Sequence, residues 1–289
     1  MKNQVQVFDI KSKKLNYELM LNEVVNADRH EVNAMFFAQY PFSIMNRVLA
    51  CTQCHVQGYK FGLLQCISKW TEQGRTKKEH ASKLWLRLPI KYKLYDKLTK
   101  KPLLDENGNQ EYGRGYKFAN NWLVYDQTEG QELNMDDIHA IFDINLTCKN
   151  LLIEQIDFDL DGSCGGYAIV SKRQLAVNPA WHDVKDVAKV LFHELAHIVL
   201  NHKPEQMTEQ KELEAELTAM MLAKIFDLPC QEQASYIKNW IKEKYTMFNK
   251  DTYEKCLKAC ELIVKASKSD KPVIELKNGE YKPIYDNNK

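Results

Sequence analysis

The residues most capable of chemistry lie in one short motif, His193-Glu194-Leu195-Ala196-His197. If this segment is helical, positions i and i+4 share a face, so both imidazoles can reach one metal ion. Glu194 is then rotated by about 100 degrees from His193 and lies beside the ion. From there its carboxylate can accept a proton from a water molecule and pass it to a leaving amine. The motif therefore predicts a zinc site of the metallopeptidase type, with Glu194 as the catalytic residue.

A zinc site in a hydrolase needs a third protein ligand, and two segments could supply it. His202 follows the first motif histidine by nine residues, whereas the three-histidine pattern needs a spacing of ten and a glycine turn, so we reject it. Glu212 and Glu216 share one face of the next predicted helix, flanked by small alanines. We expect Glu212 to bind the ion and Glu216 to accept a proton from a ligand imidazole. The reverse assignment, with Glu216 as the ligand, remains open.

Zn²⁺ is the expected cofactor, and the donor set also suits another divalent ion such as Mn²⁺ or Co²⁺. A transition-state oxyanion needs a hydrogen-bond donor besides the metal. Tyr167, His182, His202 and Tyr236 are candidates for that donor, and the sequence does not choose among them.

The elements expected around the motif agree with such a site. An amphipathic helix, with Asp183 as its N-cap, carries the motif, and a β-hairpin precedes it. An acidic helix and two further helices follow, and the polar tail from Ser267 is expected to be loosely held. The predicted strands cover residues 165–170 and 174–177, and the predicted helices cover residues 184–201, 209–226, 232–245 and 252–266.

The N-terminal half predicts a mixture of helices and strands. Helices are expected at residues 16–27 and 44–50, the second capped by Ser43, with a short helix within 58–70. Strands are expected at residues 83–95 and 116–125, separated by a loop over residues 100–115. The fold class is therefore α+β, and we expect two domains, one over residues 1–145 and one over residues 146–289.

Composition places the 289-residue chain among ordinary globular proteins, with 44% hydrophobic and 27% charged residues. The N-terminus does not resemble a signal peptide, and no apolar run approaches the length of a membrane span. We therefore expect a cytoplasmic location, no membrane partner and free thiols. Cys51 and Cys54 could hold a structural metal, for which Cys66 or His55 would be further ligands.

Positive charge is concentrated in the N-terminal half. Residues 60–117 carry 14 Lys and Arg against 6 Asp and Glu, a net charge of +8, which is typical either of a solvated charged face or of a surface for an anionic partner. Basic and aromatic residues interleave there, as single-stranded DNA binding requires, although the tryptophans could instead belong to the core. The candidate DNA contacts are Lys69, Trp70, Arg75, Lys77, Lys78, Trp85, Arg87, Arg114 and Lys117, and the same pattern includes Lys83, Lys91, Tyr92, Lys93, Tyr116 and Trp122.

Three C-terminal segments together resemble the ImmA/IrrE-type zinc peptidase domain: GGYAIVSKRQLAVNP, HELAHIVLNH and ELEAELTAMML. The resemblance implies that a hairpin precedes the zinc helix and that a glutamate of the next helix completes the site. It assigns the ligand to Glu212 and the following acid to Glu216. It covers residues from about 150 to 230.

The N-terminal half resembles the first domain of ArdC-type antirestriction proteins, in the residues Pro41-Phe-Ser-Ile-Met-Asn-Arg47, Gly58-Tyr59, Trp70, Gly74 and Val124-Tyr-Asp-Gln-Thr-Glu-Gly130. Proteins of this family are carried on mobile elements and join a single-stranded-DNA-binding domain to a zincin domain. The resemblance implies the same domain order here.

Three hypotheses follow. In the first, an ArdC-like protein binds single-stranded DNA and carries a zinc peptidase site that acts on an unknown protein or peptide. In the second, a regulatory peptidase of the ImmA/IrrE kind recognises a protein such as a repressor. In the third, a non-catalytic DNA-binding protein contains zinc only as a structural ion.

Overall fold

A computed structural model describes residues 7–9, 14–36, 42–133, 142–160, 164–180, 184–228 and 249–284. The predicted helix over residues 232–245 and the predicted cap Asp183 lie outside these residues, as do His182 and Tyr236.

Three helices lie between residues 17 and 56, and short polar side chains cap two of them. Asn16 Oδ1 accepts from the backbone N–H of Leu19 at 3.0 Å, and Ser43 Oγ accepts from that of Asn46 at 3.4 Å. The helices expected over residues 16–27 and 44–50 are thus confirmed, although the second extends further. A small ribbon, β1 (Phe8–Asp9) with β2 (Lys14–Leu15), precedes α1 (Tyr17–Asn26), α2 (Arg29–Phe36) and α3 (Ile44–Val56).

A long antiparallel ribbon dominates the next segment. β5 (Leu84–Lys93) pairs with β6 (Tyr112–Val124) along its whole length, and β3 (Leu64–Cys66) pairs with the inner end of β6. The predicted strands are confirmed, but residues 112–115, predicted as loop, continue β6 because they pair with residues 90–93. The remaining elements are α4 (Ile67–Glu72) and a second ribbon of β4 (Arg75–Lys77) with β7 (Thr128–Gly130).

The C-terminal half has the predicted order of hairpin and helices. β9 (Gly166–Ile169) and β10 (Gln174–Val177) form the hairpin, and the short β8 (Glu154–Gln155) pairs with β10. The sheet order β8-β10-β9 leaves β9 at one edge. The helices are α5 (Ile144–Asn150), α6 (Val184–Val199), α7 (Thr208–Ile225) and α8 (Lys250–Ala266).

Residues 267–284 of the polar tail are more ordered than the sequence predicts, so the expectation of a loosely held tail is wrong for this part. β11 (Ile274–Lys277) and β12 (Glu280–Pro283) form a hairpin, and Val273 and Ile274 are buried. The backbone N–H of Val273 donates to the carbonyl of Asn150 at 2.9 Å. This segment is therefore docked on α5, and the guanidinium of Arg173 over the ring of Tyr281 adds a further contact.

Helices from the two halves contact each other directly. α1 and α2 pack on α7, and α3 packs on α8. Arg87 pairs with Glu254 at 2.9 Å across this contact, and buried residues from both halves form a continuous apolar cluster. The fold is a mixed α+β fold, while the division into two domains at residue 145 stays a prediction. No helix within the described ranges is long and apolar enough to cross a membrane.

Candidate metal centre

The two motif histidines lie one helical turn apart on α6, and Glu212 faces them from α7. The opposite face of α6 is anchored in the core by Leu195 and Ile198, which are fully buried. α6 and α7 pack on each other over much of their length. This packing turns one side of each helix towards a common point.

Three ligand atoms converge at that point. His193 Nε2 and His197 Nε2 are 3.0 Å apart. Glu212 Oε2 lies 3.3 Å from His193 Nε2, and Glu212 Oε1 lies 3.7 Å from His197 Nε2. Two ligands bound tetrahedrally at about 2.0–2.1 Å are separated by roughly 3.3–3.4 Å. The three side chains therefore fit a divalent ion in both donor type and spacing.

The electrostatics of the two imidazoles differ. Burial, together with the positive charge of His193, lowers the pKa of His197 to about 3. Burial alone would also lower the pKa of His193, but the hydrogen bond and charge of Glu216 and the other neighbouring carboxylates raise it. His197 is therefore neutral and offers a lone pair, as a metal ligand must.

Glu194 and Glu216 occupy different sides of this centre. Glu194 lines the open side, and burial raises its pKa, with a smaller opposing effect from His193. Glu216 Oε1 lies 3.5 Å from His193 Nδ1, the nitrogen that points away from the convergence point. The predicted arrangement, with Glu212 at the ion and Glu216 behind a ligand, matches these positions better than the reverse.

His202 and Glu214 form a second layer that the sequence interpretation did not predict. Asn201 has φ +54°, and this turn folds the chain back so that the His202 N–H donates to the His197 carbonyl at 3.1 Å. His202 Nδ1 then lies 2.8 Å from His197 Nδ1, and His202 Nε2 lies 3.2 Å from Glu214 Oε2. An asparagine directly after a helical run is the sequence signal that could have indicated this turn.

A cleft of about 710 Å³ opens over the metal centre. One wall is β9 and the turn that follows it, and the other is formed by α6, α7 and the loop between them. Gly166 lets β9 approach α6 closely, because a Cβ atom there would lie 2.7 Å from both Ala176 O and Val190 Cγ1. β9 and the three ligand side chains therefore line the same cleft.

Two of the four candidate donors for a transition-state oxyanion, Tyr167 and His202, lie within the described residues, and both already have hydrogen-bond partners. The Tyr167 hydroxyl donates to Asp159 Oδ1 at 2.6 Å, and both nitrogens of His202 are engaged with His197 and Glu214. The other two candidates lie outside the described residues.

Two predicted DNA contacts are buried, which corrects their assignment. Trp70 is 1% exposed, and its Nε1–H donates to the Leu123 carbonyl at 2.9 Å. Arg75 is 4% exposed, donates to Thr128 Oγ1 and covers the ring of Tyr125. Alternation of basic and aromatic residues did not reveal which of them face the interior.

The remaining predicted contacts divide into two groups. Lys69, Arg114 and Lys117 are exposed. The others are half-buried and have partners within the protein: Lys77 donates to three backbone carbonyls, Lys78 pairs with Asp126, Trp85 packs against the core, and Arg87 pairs with Glu254.

No protein-family model matches this chain, and no curated protein matches it. The fold does match two crystal structures of the antirestriction protein ArdC from plasmid R388. The metal-free structure has a TM-score of 0.55 and 15% identity, and covers 87% of this chain and 97% of that one. The Mn(II)-bound structure has a TM-score of 0.52 and 14% identity, with coverage of 88% and 99%. The chain thus shares its fold with antirestriction ArdC over nearly the whole of both proteins.

Proposed function

We propose that this protein is an ArdC-like antirestriction protein with a divalent-metal peptidase site and a single-stranded-DNA-binding surface. The observation that carries the proposal is the convergence of His193, His197 and Glu212 beneath an open cleft. These three side chains would hold Zn²⁺ or Mn²⁺.

The catalytic part of the proposal rests on Glu194. A bound divalent ion would polarise a substrate carbonyl and lower the pKa of a water molecule. Glu194 would take a proton from the water as its oxygen adds to the carbonyl carbon, and would deliver that proton to the amide nitrogen as the C–N bond breaks. Burial raises the pKa of this carboxyl group. A raised pKa suits a group that must first accept a proton from water and then donate it to the amine.

The shape of the cleft favours an extended peptide as the substrate. No strand pairs with the outer edge of β9 in the described part of the chain, so its backbone N–H and C=O groups can bind a peptide as an added strand. Such a strand would lie across the cleft above Glu194. This cleft also favours the second candidate function, a regulatory peptidase whose N-terminal half recognises a protein.

The DNA part of the proposal rests on the outer half of the β5–β6 ribbon. The ring of Tyr92 lies over the backbone of Gly113, where a Cβ atom would be 2.5 Å from Tyr92 Cζ. Tyr92 and Tyr116 remain exposed, and so do Arg114 and Lys117. Exposed rings beside exposed cations can stack with bases and contact phosphates.

The peptidase is tested with metal-loaded protein and a mixture of unstructured peptides, with products identified by mass spectrometry. We expect the wild type to cleave and Glu194→Gln to be slower by about 10²–10⁴-fold with its metal content unchanged. Glu209→Gln, an exposed change on α7, is the matched control. Equal cleavage by both variants would reject Glu194 as the acid-base residue. If protection of DNA against a restriction endonuclease survives Glu194→Gln, the non-catalytic alternative is favoured.

The DNA surface is tested with a single-stranded oligonucleotide at low and moderate salt. We expect Tyr92→Ala to weaken binding by about 1–3 kcal/mol and Arg114→Ala or Lys117→Ala to reduce the salt slope by about one each. Lys277→Ala, an exposed change on the C-terminal hairpin, is the charge control. Absence of wild-type binding at low salt would discard the DNA proposal and leave the regulatory peptidase.

A further inference from the structure

The geometry points to His202 and Glu214 as positioning residues that fix the tautomer and orientation of His197. This inference rests on the metal centre proposed above and extends it to two residues beyond the ligands.

Hydrogen bonds link Glu214 to His202 and His202 to His197. Because an ionised carboxylate can only accept, each residue in this chain must donate towards Glu214. Glu214 Oε2 can only accept, so His202 Nε2, at 3.2 Å, carries the hydrogen. A neutral His202 then has a lone pair on Nδ1. This lone pair faces His197 Nδ1 at 2.8 Å, so His197 must donate its Nδ1–H.

The consequence appears on the other side of the His197 ring. With its hydrogen on Nδ1, neutral His197 has a lone pair on Nε2, the atom that faces His193 and Glu212. If His202 carried hydrogens on both nitrogens, neutral His197 would have to accept at Nδ1 and carry its own hydrogen on Nε2. That arrangement would place a hydrogen atom where the cation must bind, so the hydrogen-bond order from Glu214 through His202 is the one that leaves His197 Nε2 open.

Burial and anchoring hold the pair in place. The side chains of His202 and Glu214 are only 2% and 3% exposed, and such burial of polar groups is costly unless they are paired. Glu214 Oε1 accepts from Gln210 Nε2 at 2.7 Å and lies 3.6 Å from Lys255 Nζ, a residue of α8. Gln210 also donates to Thr252 Oγ1 at 2.9 Å. The carboxylate is therefore fixed by two helices.

Each of the two ligand histidines is thus linked to a carboxylate on the side of its ring that faces away from the ion, but the two links differ. Glu216 lies directly behind His193, whereas Glu214 acts on His197 through an intervening imidazole. A carboxylate behind a ligand imidazole increases its basicity and holds its ring in the binding orientation. The loop after α6 supplies this support because His202 is placed there by the turn at Asn201.

The first test reads the tautomer of His197 by ¹⁵N NMR of the metal-free wild type. We expect hydrogen on Nδ1 and a lone pair on Nε2. Hydrogen on Nε2 would overturn the inference, and this measurement requires no variant.

The second test measures Zn²⁺ and Mn²⁺ affinity by competition with a chromophoric chelator. We expect His202→Leu and Glu214→Gln to weaken binding by about 10–100-fold. His202→Gln, which restores an acceptor, should recover part of that loss, whereas a role in packing alone would favour leucine over glutamine. Thermal unfolding of each metal-free variant identifies any that does not fold, and a folded Glu214→Gln is sufficient for the test.

The controls separate this inference from the proposed function. Glu209→Gln should bind as the wild type does, and Glu212→Ala should lose tight binding. If the wild type binds neither ion, the metal centre itself is rejected, and this inference with it. If the wild type binds, Glu212→Ala does not, and His202→Leu and Glu214→Gln match the wild type, only the positioning role is overturned.

Discussion

Two groups of side chains within the described residues contain potential metal ligands, and they differ in the contacts that their ligand atoms already make. One is the candidate metal centre on α6 and α7, and the other is the His55 cluster, formed by Glu31, Cys51 and His55 with Glu23 beside them. In the His55 cluster both imidazole nitrogens already contact carboxylates at 2.6 Å. At the metal centre two imidazole nitrogens face each other, and an open cleft lies above them.

The difference shows that donor type alone does not identify a metal site. Hydrogen bonds with Cys51, Glu31 and Glu23 raise the pKa of His55 to about 11, so a proton supplies the positive charge that the cluster needs. Glu31 also accepts from the backbone N–H groups of Asp28 and Phe61. We therefore interpret the His55 cluster as an ion pair that joins α1, α2 and α3. The sequence-based idea of a metal at Cys51 and Cys54 is not supported, since Cys54 lies outside the cluster.

The largest expected effect that sharpens this comparison comes from His55→Leu. This change leaves Glu31, 7% exposed in its side chain, without its cation, and loss of a partner from a buried pair costs about 3–5 kcal/mol of unfolding free energy. Denaturant unfolding measures the effect, with His80→Leu, an exposed histidine, as the control. If His55→Leu instead lost a bound metal ion, the two clusters would not differ as described.

A smaller effect is expected from Gly166→Ala at the metal centre. The new methyl group would meet Ala176 O and Val190 Cγ1 at 2.7 Å, so β9 or α6 must move, at a cost of about 1–3 kcal/mol. We expect weaker metal binding as well, because α6 carries both ligand histidines. Gly62→Ala is the matched control, since a Cβ atom there meets nothing within 4 Å. If Gly166→Ala is destabilised but binds metal as the wild type does, the packing of β9 on α6 does not determine metal affinity.

The pH dependence of the His55 cluster tests whether a proton or a metal ion holds it together. The pKa of His55 is raised from 6.5 to about 11, so its stabilisation is complete below pH 6.5 and is lost as the pH rises towards 11. The difference in unfolding free energy between the wild type and His55→Gln should therefore shrink between roughly pH 7 and 10. A cluster held by a metal ion would behave in the opposite way, since thiolate and neutral imidazole ligands form as the pH rises.

The parts of the site that depend on helical periodicity could be predicted from the sequence. His193, His197 and Glu212 lie where the i, i+4 rule and the shared face of α7 place them. His202 and Glu214 could not be predicted in the same way, because their contact depends on the turn at Asn201 and on how two helices pack.

The surface of the N-terminal half shows the same limit. The pattern over residues 83–95 predicted a strand, and β5 confirms it. That pattern could not reveal that Trp70 and Arg75, which lie outside that strand, are covered by neighbouring elements. The interleaved pattern therefore identified a basic region but not which of its side chains contact solvent.

The metal content of purified protein after exposure to excess Zn²⁺ or Mn²⁺ and desalting shows whether the ion binds between α6 and α7. Wild type, Cys51→Ser and Glu212→Ala are compared by elemental mass spectrometry. We expect one ion per chain in the wild type and in Cys51→Ser, and loss of the ion in Glu212→Ala. An ion that persists in Glu212→Ala and disappears in Cys51→Ser would place the metal in the His55 cluster and contradict the account.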